Sequence, residues 1–323
     1  MNMHGRRRLL VAALALLAGG PGVAAEPAPY LNADGAVRIV GYNDMQDMLA
    51  AITALFQRAH PEARFELVLK GTRTAPQALA RGISLFAPMG AEFSAAELAD
   101  YARLTGGGVP LPFRVAHDSL NPAALSAPLG VFVDARNPVA SLSLAQLARV
   151  FSGEVTSWGP LGLAGEWAKR PIHLCGMAPV TALGALMLRR LGLASFAPGL
   201  RGFVQSRDAV ACVAADPLAL GFGSLNRGVP GVRPVPLSTQ DGGPAFAGTP
   251  EDIVSGRYPL DRHLLIYLRT DPATRRVDPL ARELLRLLLS SEGQQLIADG
   301  ALGYLPLNAQ ERAEELRRLS TLD

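Results

Sequence analysis

The sequence offers few residues for metal or acid–base chemistry. No two of its histidines have the H-x-H or H-x-x-x-H spacing with which neighbouring histidines on one strand or helix bind a metal. The five histidines are His4, His60, His117, His173 and His263. We therefore expect each of them to be structural, and we expect the protein to contain no metal and no cofactor.

The common catalytic motifs are also missing from the sequence. The stretch Gly221–Ser224 comes nearest to the G-x-S-x-G motif of serine hydrolases and does not match it. Lys70 and Lys169 are the only lysines, and neither follows the glycine-rich run that forms a P-loop. These observations favour a binding protein over an enzyme, with no catalytic residues.

The two cysteines, Cys175 and Cys212, leave two interpretations open. In an oxidising compartment an even pair can form a disulfide. Such a bond would join the predicted strand at 172–175 to the predicted helix that carries Cys212. Alternatively, both are small apolar residues buried in the core.

The first 25 residues have the three-part layout of a secretory signal peptide. Arg6, Arg7 and Arg8 precede an apolar run from Leu9 to Ala18, and small residues follow at 23–25. This run is shorter than the roughly 20 residues that a membrane span needs. We expect cleavage after residue 25 and export to the periplasm, by either the general or the twin-arginine route.

Length and charge restrict the fold and the partners. A chain of 323 residues fits two domains of roughly 150 residues each. The chain has 31 basic and 28 acidic residues, and three of the basic ones lie in the predicted signal peptide. The exported protein is therefore close to neutral, which does not support a nucleic-acid partner.

Strand and helix patterns alternate along the chain. The strand Val37–Val40 precedes a helical repeat of apolar residues from Met45 to Phe56, and a second strand follows at 65–69. Further helices are expected at 75–81, 94–105, 143–151 and 208–215, with one that follows the strand at 172–175 and ends at 191, and one or two at 279–299. Further strands are expected at 129–133, 172–175, 220–224 and 264–268. This alternation predicts an α/β fold with parallel strands.

Four long segments, at 136–176, 214–225, 251–268 and 284–307, resemble the exported phosphate-binding component of ABC-type phosphate importers. This component is a type II periplasmic binding protein. The resemblance implies a monomer with two α/β lobes, a hinge and an inter-lobe cleft, working with an inner-membrane ABC permease. It divides the chain into the signal peptide at 1–25, lobe 1 at 26–127, lobe 2 at 128–226, and the return to lobe 1 at 227–323.

The resemblance also assigns the ligand loops. Family members hold phosphate at helix N-termini, where backbone amides, hydroxyls, arginine and a carboxylate surround it. The positions of this sequence that match those loops are Asn43, Asp44, Thr72, Arg73, Thr74, Gly90, Met177 and Thr181.

These loops depart from the family pattern. The first reads Gly41-Tyr42-Asn43-Asp44-Met45 instead of G-S-x-T-M, so a carboxylate that would repel phosphate replaces a hydroxyl. The second, at 85–91, lacks the acid, serine and arginine of D-I-G-P-M-S-R, and the third, at 176–183, lacks its arginine. We expect tight phosphate binding to be lost. Arg73 either replaces the missing guanidinium, aided by Thr72, Thr74 and Thr181, or lies on an exposed turn without contact to a ligand.

Two functions from different classes follow from the sequence. The first is an exported solute-binding protein whose ligand is phosphate or a less charged molecule. The alternative is a degenerate paralogue that serves as a protein-interaction or sensory module without tight ligand binding. A third function, an exported hydrolase, lacks the nucleophile and metal patterns it would need.

Overall fold

The computed structural model describes residues 28–271, 274 and 276–322. The predicted signal peptide at 1–25 lies outside these residues. Within them, no helix is long and apolar enough to cross a membrane.

The first part of lobe 1 contains the predicted β-α-β unit. β1 and β2 pair in parallel with Val37 opposite Phe65, and α1 buries Leu49 and Ile52 beside them. Ser94 and Glu97 form a capping box at the start of the third helix. The elements are β1 (Val37–Val40), α1 (Gln46–Ala59), β2 (Phe65–Val68), α2 (Ala75–Ala80), β3 (Ala87–Met89), α3 (Ala95–Leu104) and β4 (Leu111–Ser119).

Lobe 2 is built on a five-stranded sheet. Its elements are β5 (Leu129–Asp134), β6 (Leu142–Ser143), α4 (Leu144–Phe151), β7 (His173–Met177), α5 (Ala182–Leu191), β8 (Arg201–Phe203), α6 (Ser206–Ala214), β9 (Ala219–Ser224), β10 (Val232–Pro234), β11 (Leu237–Ser238) and α7 (Pro250–Val254). The strand order is β10-β5-β9-β7-β8, in which β7 runs parallel to β8 and β9. Phe151, Trp158 and Phe222 fill its core.

The chain then returns to lobe 1. It forms β12 (His263–Leu268), α8 (Pro279–Leu288), α9 (Ser291–Ala298), β13 (Tyr304–Leu305) and α10 (Ala309–Ser320). A four-stranded sheet with the order β13-β4-β12-β3 joins this part to the first. Its central strands β4 and β12 are antiparallel, and they lead into and out of lobe 2. The predicted two-lobe α/β fold is confirmed.

The core of lobe 2 extends beyond residue 226, the end of the lobe that the family resemblance predicted. β10 pairs with β5, and Leu237, Tyr258 and Leu260 belong to the same hydrophobic cluster as the sheet. The return to lobe 1 begins only at the residues that precede β12. We therefore propose a boundary near residue 261.

A disulfide joins Cys175 in β7 to Cys212 in α6, with the two Cα atoms 6.1 Å apart. Both cysteines lie in a small buried cluster with Phe132 and Val213. The bond therefore lies within lobe 2, and it closes a loop over a sequence separation of 37 residues.

Replacing both cysteines by alanine (Cys175→Ala with Cys212→Ala) is expected to lower the free energy of unfolding by about 2–4 kcal/mol, because the unfolded chain gains conformational freedom. Urea unfolding of the oxidised protein and the variant measures the difference. Reduced wild-type protein is the control and should match the variant. Two free thiols in unfolded, non-reduced wild-type protein would contradict the disulfide.

Candidate functional site

The loop after β1 places Tyr42 in the interior, with 6 % of its surface exposed. The Tyr42 hydroxyl donates a hydrogen bond to Oγ of Ser126 at 3.1 Å, and Ser126 in turn donates to the carbonyl oxygen of Gly90 at 3.2 Å. Burial raises the pKa of Tyr42 to about 12. A hydroxyl that in the family pattern belongs to a small serine is here carried by an aromatic ring and bonded within the protein.

Gly90 is a glycine because the Tyr42 ring leaves no room for a side chain. A Cβ atom at Gly90 would lie 2.5 Å from Cε1 of Tyr42 and 2.9 Å from Oγ of Ser126. The ring therefore fills the place that the family's serine would occupy at position 90. Departures in two separate loops thus have a single physical cause.

The carboxylate of Asp44 is bonded inside the protein. Its Oδ2 accepts hydrogen bonds from the backbone N–H of Leu125 at 2.6 Å and from the hydroxyl of Tyr304 at 2.8 Å. Leu125 lies on the connection into lobe 2, so Asp44 fastens that connection to lobe 1. Its neighbour Asn43 is exposed.

The turn Thr72–Thr74 leads into α2 from Gly71, whose φ of 122° is a left-handed conformation that glycine adopts readily. Thr72 Oγ1 accepts from the backbone N–H of Gly90 at 3.4 Å, and the hydroxyl of Thr74 donates to the Gly71 carbonyl at 2.8 Å. Arg73 is exposed, and its guanidinium has no partner among the described residues. Arg73 is therefore available to an anion.

The lobe 2 residues lie at the carboxyl end of β7. Met177 is buried, and its sulfur accepts a hydrogen bond from the hydroxyl of Ser206 at 3.5 Å. Thr181 is the N-cap of α5: it accepts from the N–H of Gly184 at 3.0 Å and donates to the carbonyl of Ala178 at 2.7 Å. The Thr181 hydroxyl is thus used to start the helix.

The structure brings the predicted residues together in two groups. In lobe 1, Thr72 contacts Gly90, while Asp44 points to the connection between the lobes. In lobe 2, Met177 and Thr181 lie at the start of α5, and Arg189 near the end of that helix reaches Glu92 of lobe 1 at 2.7 Å. That these groups share one ligand stays a prediction.

A buried arginine that the sequence did not indicate lies where the two connections meet. The guanidinium of Arg262 donates to the carbonyls of Gly90 at 2.7 Å and Ala127 at 2.9 Å. It also forms an ion pair with the fully buried Asp118 at 3.0 Å. Burial raises the pKa of Asp118 to about 6, and the charge of Arg262 limits that rise. Since these residues are far apart in sequence, no local motif could have revealed the contact.

Next to this arginine, the structure gathers a second group that the spacing in the sequence had not indicated. His117, Asp261 and His263 place one potential metal-ligating atom each within 4.8 Å of one another. Although burial lowers it, hydrogen bonds to Asp261 and Glu311 raise the pKa of His117 to about 9.

A family model described as "PBP superfamily domain" matches residues 28–292. The chain belongs to the PBP superfamily. The family resemblance found in the sequence is thereby confirmed. The match covers both lobes and every predicted ligand loop of this PBP superfamily member.

Relatives and solved structures agree with this assignment. The "Phosphate-binding protein PstS" of Pseudomonas aeruginosa is 28% identical over 329 residues, covering 96% of this chain and 98% of that protein. An ABC-type phosphate transport receptor from Vibrio cholerae has a TM-score of 0.55 at 20% identity, covering 83% of this chain and 98% of that one. PstS from Borrelia burgdorferi has a TM-score of 0.55 at 16% identity, covering 85% and 99%. These two structures support the two-lobe fold.

The fit between Tyr42 and Gly90 predicts the result of a substitution. Gly90→Ala should lower the free energy of unfolding by about 1–3 kcal/mol, because the new methyl group overlaps the ring. Adding Tyr42→Ala should remove the overlap, so the double variant loses less stability than the sum of the single variants. Chemical denaturation of the two single variants and the double variant gives the free energies of unfolding for this double-mutant cycle.

Gly199→Ala is the matched control, because a Cβ atom there meets no atom within 4 Å. Its free energy of unfolding should stay within about 0.5 kcal/mol of that of the wild type. Equal stabilities of the Gly90→Ala variant and the wild type would contradict the assigned fit.

Proposed function

We propose that this PBP superfamily member is the exported solute-binding component of an ABC-type importer, and that it holds its ligand between the two lobes. The observation that carries the proposal is the family match across residues 28–292, which spans both lobes. The names of the Pseudomonas and Vibrio relatives support it, since one is a phosphate-binding protein and the other a phosphate transport receptor. The function is binding, without a catalytic step.

The location and partner belong to the same proposal. Cleavage after residue 25 would release the chain into the periplasm, where lobes closed around a ligand would dock on an inner-membrane ABC permease. Binding of the ligand would shift the population of open and closed lobes towards the closed form.

The ligand groups favour a molecule less charged than phosphate. An anion taken out of water needs donors that replace its hydration, and charged donors supply the strongest hydrogen bonds. Thr74 and Thr181 already donate their hydroxyl protons to backbone carbonyls, and the Tyr42 hydroxyl donates to Ser126. Of the predicted ligand residues, Arg73 is a cation without a partner in the described part of the chain, and Thr72 lies beside it. One guanidinium and few free hydroxyls suit a monoanion or a polar neutral solute better than a dehydrated phosphate.

Thermal unfolding with a panel of solutes tests the function. We would add inorganic phosphate, sulfate, small carboxylates and uncharged polyols to the purified chain and record Tm and the radius of gyration. A ligand at 100 times its Kd stabilises the folded state by about 2.7 kcal/mol, so Tm should rise, and the molecule should contract as the lobes close. If no solute raised Tm, the protein would be the interaction or sensory module instead.

Arg73→Ala should weaken binding of an anionic solute at least tenfold, because it removes the charge that faces the ligand without breaking a contact in the protein. The matched control is Arg81→Ala, which removes an exposed arginine at the other end of α2. Titration calorimetry with the solute that gives the largest rise in Tm measures both variants. Equal losses in the two variants would show that Arg73 lies outside the site.

Asp44→Asn should raise the affinity for an anion several-fold, because it removes a negative charge and keeps an oxygen that accepts from Leu125 and Tyr304. Asp47→Asn removes an exposed charge in the first turn of α1 and serves as the control. The anion affinities of the Asp44→Asn and Asp47→Asn variants, measured at low and at high salt, are compared to check the effect. An affinity lowered by Asp44→Asn would contradict the placement of this carboxylate near the ligand.

A further inference from the structure

Two histidine rings on the paired strands β4 and β12 contact each other in lobe 1. His117 near the end of β4 and His263 at the start of β12 have ring centroids 4.6 Å apart, and their planes are tilted by 38°. Asp261 lies two residues before the start of β12, and Glu311 reaches the pair from the first turn of α10. Four potential ligands therefore come from three separate parts of the chain.

Two buried atoms of this group have no hydrogen-bond partner among the described residues. They are Nε2 of His263 and Oδ1 of Asp261, a residue of which only 7 % is exposed. Native proteins rarely leave buried polar atoms unpaired, because each loses its hydration without replacement. The nearest partner of Nε2 of His263 is Oε1 of Glu311 at 3.5 Å, which is long for a hydrogen bond, so both atoms are available to a ligand.

The spacing of the ligating atoms suits a small metal ion. Oδ2 of Asp261 lies 2.7 Å from Nδ1 of His117 and 3.7 Å from Nε2 of His263. In a tetrahedral zinc site with bonds of about 2.0–2.1 Å, neighbouring ligand atoms are about 3.3 Å apart. These two distances lie on either side of that value, and all three ligating atoms lie within 4.8 Å of one another, so side-chain adjustments would bring them to three corners of such a site.

Glu311 provides the support that metal-bound histidines usually have. Its Oε2 lies 2.9 Å from Nε2 of His117, the ring nitrogen that faces away from Asp261. A carboxylate that accepts this N–H favours the tautomer in which Nδ1 carries no proton, and a metal ion bound at Nδ1 would replace its 2.7 Å contact with Asp261. Arg114 holds the carboxylate from the other side, with Nη1 3.6 Å from Oε1.

A divalent ion would add positive charge to a group that contains two carboxylates. The neighbouring acids have their own cations: Asp118 has Arg262 at 3.0 Å, and Glu315 has Arg114 and Arg318, both at 2.6 Å. Asp261 and Glu311 are bridged by the His117 imidazole at 2.7 and 2.9 Å, and a bound ion would replace the contact between Asp261 and that ring.

We propose that His117, Asp261 and His263 bind a divalent transition-metal ion of the zinc class, with Glu311 orienting His117. Two imidazole nitrogens and one carboxylate favour zinc, cobalt or nickel over calcium and magnesium, which prefer oxygen ligands alone. The bound ion would tie the strands that enter and leave lobe 2 to each other, and through Glu311 to α10.

Titration of the metal-stripped, untagged full chain with Co²⁺ tests the proposal. Visible absorption bands typical of four-coordinate cobalt should grow and saturate at one ion per chain, and Zn²⁺ should displace the cobalt. Absence of both a saturable cobalt spectrum and saturable zinc binding in calorimetry would overturn the site. This measurement on the wild type does not depend on any variant folding.

His263→Gln should weaken Zn²⁺ binding at least tenfold, and circular dichroism should show that the variant keeps its helices and strands. His173→Gln is the matched control, because His173 lies 2.7 Å from Asp216 in lobe 2, away from this cluster. It should bind Zn²⁺ as the wild type does. Wild-type affinity in His263→Gln, or an equal loss in both variants, would overturn the assignment of His263 as a ligand.

Discussion

The carbonyl group of Gly90 and the guanidinium of Arg262 form the contact on which the arrangement of the lobes depends. Arg262 lies on the connection that returns from lobe 2, and it also donates to Ala127 on the connection that leads there. The same carbonyl accepts from Ser126. The largely buried guanidinium of Arg262, balanced by Asp118, thus holds both connections against lobe 1. A buried charge of this kind is stable only while its partners stay in place, so this contact fixes the positions of the two connections relative to each other.

The same constraint shapes the ligand loops. Ser126 has to be reached by Tyr42, and Gly90 must lack a side chain so that the ring fits. Asp44 likewise binds the outgoing connection through Leu125. Two residues of the first predicted ligand loop, Tyr42 and Asp44, are thus bonded to the connection that leads into lobe 2.

Sequence patterns predicted most of the elements but not all. The β-α-β unit from Val37 to Val68 was predicted within a few residues, because its apolar spacing is regular. Strand β4 was missed, because it contains Arg114, His117 and Asp118, polar residues that are buried or half-buried only because they pair in the folded protein. Helix α10 was missed for a similar reason, since Leu316 and Leu319 are its contacts with the lobe 1 core and ion pairs from Glu311 and Glu315 supply the rest.

The ligand site stays a prediction, and the structure adds the contacts that its residues make within the protein. The turns at Asp44, Thr72 and Thr181 were located by their resemblance to family loops, which is a property of the local sequence. The partners of these side chains are distant in the chain, as Tyr304 is from Asp44. The pairing of His117 with His263 depends on the register of β4 and β12, which place them opposite each other. No spacing rule along the sequence contains that information.

This PBP superfamily member has the two-lobe fold, and we propose that it has lost tight phosphate binding because Tyr42 and Asp44 are bonded to the connections between the lobes. Titration calorimetry of inorganic phosphate into the wild-type chain, freed of bound anions by unfolding and refolding, tests this proposal most directly. We expect no binding in the submicromolar range. A submicromolar dissociation constant at one phosphate per chain would contradict the proposal.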